Sequence, residues 1–418
     1  MLGRFLIISL LFISLSASAQ GVHEQIQSTQ SKIKQLEGDI AGYERDLTKT
    51  QKERNTLANA VKTLDLSKKK LDAQVELTQN KIIATSALIE ELTGKIDAHT
   101  VQINRRLASI GESIRNVSEM LGQNAVEIVL SNNTLSATLD NIYSLERLQE
   151  NIRADVLELK NERTELTSDK KESETARAEL LNLKSRLSDQ RTLVLSNQKT
   201  KQTLLEQTKN KESNYKTLLQ EKITLKQKFE QELRSYEASL RQEIDLSKLP
   251  HPGSGVLKWP LDNVTITQYF GNTEFAKSGA YKGSGHNGVD FRATLGTTIT
   301  SAGRGTVRAT GNTDIGCQGG SYGQWVLIDH DSNLAGLSTL YSHLSLIKVS
   351  AGDTLGAGDL IGYSGQTGYA TGPHLHFGVY AKEGVRVTRL IRSDGTASKC
   401  TEMPVSPLNG YLNPLLYL

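Results

Sequence analysis

The chain has 418 residues, with 49 Lys+Arg against 46 Asp+Glu and a formal net charge of +3. Charges that interleave so evenly leave no concentrated basic patch, so a nucleic-acid-binding role is excluded. Aromatic residues make up only 5%, too few for one large globular core, so much of the chain is expected to be extended.

The opening residues read as a secretory signal peptide. Arg4 supplies a positive start, Phe5 to Leu15 is mostly apolar, and Ala17-Ser18-Ala19 supplies small residues for cleavage after Ala19. The alternative, a membrane anchor, needs roughly 20 apolar residues, more than this run offers. No cysteine lies near the cut, which argues against lipoprotein processing. The chain is therefore expected to be exported, to a periplasm or to the cell envelope and surface.

Residues 20–249 are expected to form a coiled coil. No proline occurs from Gly21 to Leu249, and apolar residues recur at 3,4 spacing. Ile33, Leu36, Ile40, Leu47, Leu57, Leu64, Leu71, Ile82, Ile96, Ile103 and Ile110 keep one a/d register, the pattern of a left-handed coil. Arg54, Lys68, Thr78, Thr85 and Arg106 are polar seam positions that weaken it. A second heptad run extends from Leu145 through Leu180, Leu204 and Leu218 to Tyr236. Arms over about 24–117 and 143–247, each roughly 140 Å long at 1.5 Å per residue, suggest an antiparallel hairpin. A pair of segments in a parallel dimer is the alternative. The tip, about 118–142, holds Val126, Ile128, Val129, Leu130, Leu135 and Leu139, which would either cap the hairpin or bind a partner.

Residues 250–255, with two prolines and two glycines among them, read as a linker. From 256 to 418 the composition turns to glycine and short β-branched runs: Val264–Thr267, Thr297–Thr300 and Gln324–Ile328. That pattern predicts an all-β domain. Cys317 and Cys400, in an exported chain, are expected to form a disulfide. Closing a loop of about 80 residues would add roughly 4 kcal/mol. Metal binding is the weaker alternative, because neither cysteine lies in a ligand-type spacing.

Three histidine-bearing motifs in this domain carry the chemistry. His286-Asn287-Gly288-Val289-Asp290, if extended, sets His286 and Asp290 on one face. In Gly372-Pro373-His374-Leu375-His376-Phe377 the two imidazoles are two apart and share a strand face. His343 lies in Leu340-Tyr341-Ser342-His343-Leu344. His286, Asp290 and His376 offer two imidazoles and a carboxylate, which suits one catalytic Zn²⁺ with a fourth position left to water. The metal lowers that water's pKa to roughly 7. His343 and His374 remain as imidazoles able to accept and return a proton. His330 is assigned no role, His23 and His99 are placed on the coil surface, and His251 in the linker.

The words HNGVD, YGQWVLIDH, TLYSHLSLIKVSAGDTLGAGDLIGYSGQTGYATGPHLHFGVY and Leu412-Asn413-Pro414 resemble the lysostaphin/LytM-type zinc metallopeptidases, which cleave peptide cross-links of bacterial peptidoglycan. The resemblance implies an antiparallel β-sheet groove, zinc on His286, Asp290 and His376, and His343 with His374 as the catalytic pair. The preceding coil resembles that of EnvC-type murein hydrolase activators. In those, the coil engages a division membrane complex of the FtsEX type and the peptidase domain is often inactive. This chain keeps all five site positions. Two expectations follow: an exported zinc endopeptidase of peptidoglycan, or a non-hydrolytic activator that recruits cell-wall amidases. The helical piece from about Phe229 to Ile244 is expected to lie over the groove. Gly303–Gln324, Asp331–Leu337 and Val385–Pro407 depart from the family pattern and would reshape that groove.

Overall fold

The computed structural model describes residues 29–47, 56–240 except 122–134, and most of 244–418, omitting 246, 248, 254, 272–284, 320, 371 and 392–395. The signal peptide, His23 and the tip residues Val126, Ile128, Val129 and Leu130 lie outside the described residues. No helix among the described residues is long and apolar enough to cross a membrane.

Among the described residues four helices come first: α1 over residues 29–47, α2 (Leu57–Leu121), α3 (Leu135–Thr208) and α4 (Glu212–Ser239). The predicted seam is what they bury. Leu36, Leu47, Leu64, Leu71, Leu92, Ile103 and Ile110 are all below a tenth exposed. Arg106, a polar seam position, forks to Asp155 (3.1 Å), Glu162 (3.0 Å) and Glu158 on α3. His99, expected to be solvated, faces Asp169 (3.6 Å) and Glu165 (3.8 Å) of α3. Positions descending on α2 therefore meet positions ascending on α3, so these helices are antiparallel.

The unbroken a/d register from Ile33 to Ile110 is not one arm. Lys32 pairs with Glu76 at 2.7 Å and Glu44 with Lys70 at 3.0 Å, so α1 runs antiparallel to the start of α2. A heptad repeat specifies an apolar stripe and carries no signal for where the chain reverses. The second run is also interrupted. Lys209 and Asn210 take positive φ (48° and 55°), ending α3 before α4 begins. Glu212 of α4 then accepts the Leu57 N–H at 2.7 Å, capping α2.

The chain divides into two compact units, residues 1–35 with 76–187 and residues 36–75 with 188–418. The second holds the β domain. Its strands β1 (Ile266–Gln268), β2 (Val289–Arg292), β3 (Thr298–Thr300), β4 (Gly305–Asn312), β5 (Gln324–His330), β6 (Leu337–Ile347), β7 (Thr354–Leu355), β8 (Leu360–Ser364), β9 (His374–Ala381) and β12 (Tyr411–Leu412) form one antiparallel sheet. Its main order is β1-β2-β9-β6-β5-β4-β7. β10 (Arg386–Thr388) and β11 (Met403–Val405) pair separately.

Strand alternation divides the domain's interior in two. On one face Val289, Phe291, Val326, Ile328, Tyr341, Leu375, Phe377 and Val379 make the main core. On the other, Trp325, Leu327, Leu340 and Tyr380 pack with Tyr322 and with Val385, Leu390, Cys400, Met403 and Val405 from the late excursion. The expected Cys317–Cys400 disulfide is formed across 83 residues and ties the Gly303–Gln324 insert to that excursion. Leu233 of α4 is buried in this second core, and Tyr236 and Leu240 pack against it. At a separate place, Leu71 of α2 and Leu193 of α3 pack on Leu295 and Tyr363. Beside them the buried Asp189 accepts from Lys348 Nζ (2.7 Å) and Tyr363 Oη (3.1 Å).

Candidate metal centre

The site lies where β2, β9 and β6 run side by side. Asp290 is the direct cross-strand partner of His376, and Arg292 of His374. Ser342, on the other flank, pairs with His376, one residue before His343. This register places His374, His376 and Asp290 on the face opposite the main core, the face that also carries Leu340 and Tyr380.

His286 arrives differently from the expectation of an extended HxGxD. It bridges to Gly271, the chain bends through Asn287 and Gly288, and β2 begins only at Val289. Glycine is required at the bend. A Cβ on Gly288 would lie 2.6 Å from the Phe377 carbonyl oxygen and 2.7 Å from the His376 ring.

Three atoms converge. His286 Nε2 lies 3.0 Å from His376 Nδ1 and 3.3 Å from Asp290 Oδ1, and His376 Nδ1 lies 2.9 Å from the same Oδ1. All three residues are buried, and together they form a group able to hold a metal ion. Ligands about 2.0–2.2 Å from a tetrahedral zinc stand roughly 3.3 Å apart, close to these separations. The donor chemistry also fits. His286 Nδ1–H donates to the Tyr269 carbonyl at 3.1 Å, which fixes the tautomer and leaves the Nε2 lone pair facing its two neighbours.

The two other imidazoles are anchored in the same way. His343 Nδ1–H donates to the Thr367 carbonyl (2.9 Å), and His374 Nδ1–H to the Gly372 carbonyl (2.7 Å). Their ring centres are 4.6 Å apart, and His374 Nε2 stands 3.8 Å from Asp290 Oδ2. His343 takes φ 62°, a left-handed conformation rare for a non-glycine residue. Its N–H donates to the Tyr322 carbonyl at 2.9 Å, which helps to hold that geometry.

Burial disfavours the charged form of two of the imidazoles, His376 and His343. Burial pushes His376 down to about 4, with Asp290 opposing. Burial, then the neighbouring His374 and His376, holds His343 well below its ordinary value. Burial alone would raise Asp290, but His286 and His374 outweigh it and hold the carboxyl well below the usual range. An ionised Asp290 carboxylate is the state a divalent cation needs. His330 stands apart. Its two ring nitrogens lie beside the Arg304 carbonyl (3.0 Å) and Thr339 Oγ1 (2.9 Å), a structural role.

Sequence reading missed a wall of the site. Asn287 Nδ2 donates to Tyr322 Oη at 2.9 Å, and the Tyr322 ring packs 5.7 Å from that of His376. The signal lay in Tyr322 opening the word YGQWVLIDH, but nothing in its spacing tied it to HNGVD. The three anchoring groups, on Tyr269, Thr367 and Gly372, are main-chain carbonyls and leave no mark on side-chain identity.

Residues 284–388 match Peptidase family M23, and this segment is an M23 peptidase domain. Among curated relatives, an uncharacterized metalloprotease of Buchnera aphidicola is 41% identical over 99 residues, 24% of each chain. The peptidoglycan DD-endopeptidase ShyA of Vibrio cholerae is 40% identical over 92 residues, 22% of this chain and 19% of that one. The glycyl-glycine endopeptidase ALE-1 of Staphylococcus capitis is 41% identical over 95 residues, 23% of this chain and 24% of that one. The chain thus covers less than a quarter of each of these relatives. The catalytic domain of lysostaphin from Staphylococcus simulans aligns over 37% of this chain and 90% of its own, at 24% identity and a TM-score of 0.25.

Proposed function

We propose that this protein is an exported zinc endopeptidase that hydrolyses peptide bonds of bacterial peptidoglycan, with its coiled coil serving regulation and partner binding. The observation that carries the reading is the convergence of His286, Asp290 and His376 within an M23 domain, with His343 and His374 beside them. His286 Nε2, His376 Nδ1 and Asp290 would hold the ion. Zinc supplies Lewis acidity and lowers the pKa of water in such sites.

The chain's own residues do the rest. The carbonyls of Tyr269, Thr367 and Gly372 lock three tautomers, so His343 and His374 turn Nε2 toward the reacting centre. Held neutral, His343 is set to take a proton. His374, beside the Asp290 carboxylate, is set to steady a developing oxyanion or to return the proton to the leaving amine. The bend at Gly288 keeps His286 and His376 at ligand distance.

Regulation is read from α4. Leu233, Tyr236 and Leu240 pack on the face of the sheet that carries the histidines, and Leu233 shares a core with Tyr322. This is the segment expected to lie over the groove, and it supports a restrained resting state that a partner of the coil releases. A division membrane complex of the FtsEX type is the partner proposed. The alternative, a non-hydrolytic activator of amidases, would use the same groove after release, but it leaves five placed site residues without a task. The test is release of peptides from purified sacculi by the full-length chain with zinc, with chelator, and with zinc restored. Zinc-dependent and restorable release is expected; equal release in chelator would overturn the enzymatic reading.

A further inference from the structure

Glu237 is a carboxylate that the proposed chemistry does not use. It lies on α4 and is only 3% exposed. Its Oε1 accepts a hydrogen bond from Tyr411 Oη. Tyr411 is the cross-strand partner of Tyr380, and their rings are 5.0 Å apart. Tyr322 completes the group. A tyrosine phenol, with an ordinary pKa of about 10, is a protonated hydrogen-bond donor at neutral pH.

Two features point beyond a simple helix dock. The Tyr380 hydroxyl is fully buried and its hydrogen-bonding neighbour is Tyr322, so the phenols of the seat form one linked polar group. The seat is also continuous with the metal centre. Tyr380 follows His376 by four residues on β9 and faces the same side, about 13 Å along the strand. Tyr322 spans the interval, touching His376 at one end and sharing a core with Tyr380 at the other. An extended peptide covers that distance in about four residues.

We infer that Tyr322, Tyr380 and Tyr411 form a carboxylate subsite of the substrate groove, and that Glu237 occupies it in place of a free carboxylate of the peptidoglycan peptide. Neutral phenols suit this purpose. They bind a carboxylate through hydrogen bonds without a buried cation that would stay unpaired when the groove is empty. Occupation by α4 then competes directly with substrate. The inference rests on the peptidase reading, and its test is a binding measurement that does not need turnover.

The probes are diacetyl-Lys-D-Ala-D-Ala, which carries one carboxylate, and its C-terminal amide. Each is titrated calorimetrically into the full-length chain with zinc removed by chelator. Glu237→Ala should bind the acid at least about tenfold more tightly than the amide, and more tightly than wild type, whose seat is filled. Adding Tyr380→Phe and Tyr411→Phe should bring acid and amide to within about threefold of each other. Equal binding of acid and amide by Glu237→Ala, or a preference that survives loss of both hydroxyls, would overturn the subsite. Circular dichroism checks folding. Should Glu237→Ala not fold, Glu237→Gln keeps the seat's shape and should still prefer the acid by about threefold; no preference there would be equally fatal. Acid selectivity without sacculus hydrolysis supports the subsite and counts against the enzymatic reading, whereas hydrolysis without selectivity does the reverse.

Discussion

The sheet buries side chains on both faces, but the two faces are completed by different parts of the chain. The main core is closed from within the β domain, by Val289, Phe291, Phe377 and their neighbours together with Tyr417 and Leu418 at the chain's end. The opposite face is closed at one end by the histidine cluster and at the other by Leu233, borrowed from α4. A core filled by its own strands opens only on global unfolding. A core completed by a docked helix can open at the cost of that contact alone. On the proposed function, the difference separates what would hold a metal centre in shape from what would govern access to it.

The sharpest way to probe the chemical end of that face is His343→Ala. His343 is no part of the ligand triangle, so zinc content should be retained while kcat falls by about 10²–10⁴. Metal analysis beside sacculus hydrolysis reads both, and an unchanged kcat would remove His343 from the mechanism. At the other end, replacing Cys317 and Cys400 together with serine frees the insert, which carries Tyr322 of the seat, from the late excursion. Stability should fall by about 4 kcal/mol, followed by denaturant unfolding, with zinc stoichiometry unchanged. Loss of zinc as well would mean that the two ends of this face are not separable.

Acid should attack the histidine end. The folded-state value of His376, about 4, lies below its ordinary 6.5. Between those values the unfolded chain holds the extra proton. The stability due to neutral His376 is therefore complete above pH 6.5 and lost as pH falls toward 4. The loss in the metal-free chain should be on the order of 3 kcal/mol. His343 adds in the same direction, and Asp290, held below its ordinary value of 3.8, contributes a further loss only below that pH. A flat stability profile from pH 7 to 4 would contradict the neutral-imidazole description. The smallest effect expected is on access. Leu233→Asp puts an unpaired carboxylate into the second core and should undock α4, raising full-length hydrolysis by about tenfold for each 1.4 kcal/mol of docking energy removed. An unchanged rate would show that α4 does not restrain the groove.

Much of this could be read from the chain. The a/d stripe marks Leu64, Leu71, Ile103 and Ile110 as buried because periodicity follows directly from helix geometry. HNGVD and HLHF announce their convergence because metal ligands must be particular residue types. What stayed hidden depends on partners far apart in sequence. The reversal between α1 and α2 leaves the heptads intact. Nothing near Glu237 says that Tyr411, 174 residues later, receives it. The carbonyls that fix the imidazole tautomers belong to the backbone, where any residue would serve.

The central claim is that His286, Asp290 and His376 hold one ion on which hydrolysis depends. Zinc content per chain, measured together with peptide release from sacculi for the wild type and for His286→Ala, tests it most directly. The account predicts one zinc per wild-type chain, with both zinc and peptide release lost in the variant. Undiminished peptide release from a zinc-free His286→Ala chain would contradict it.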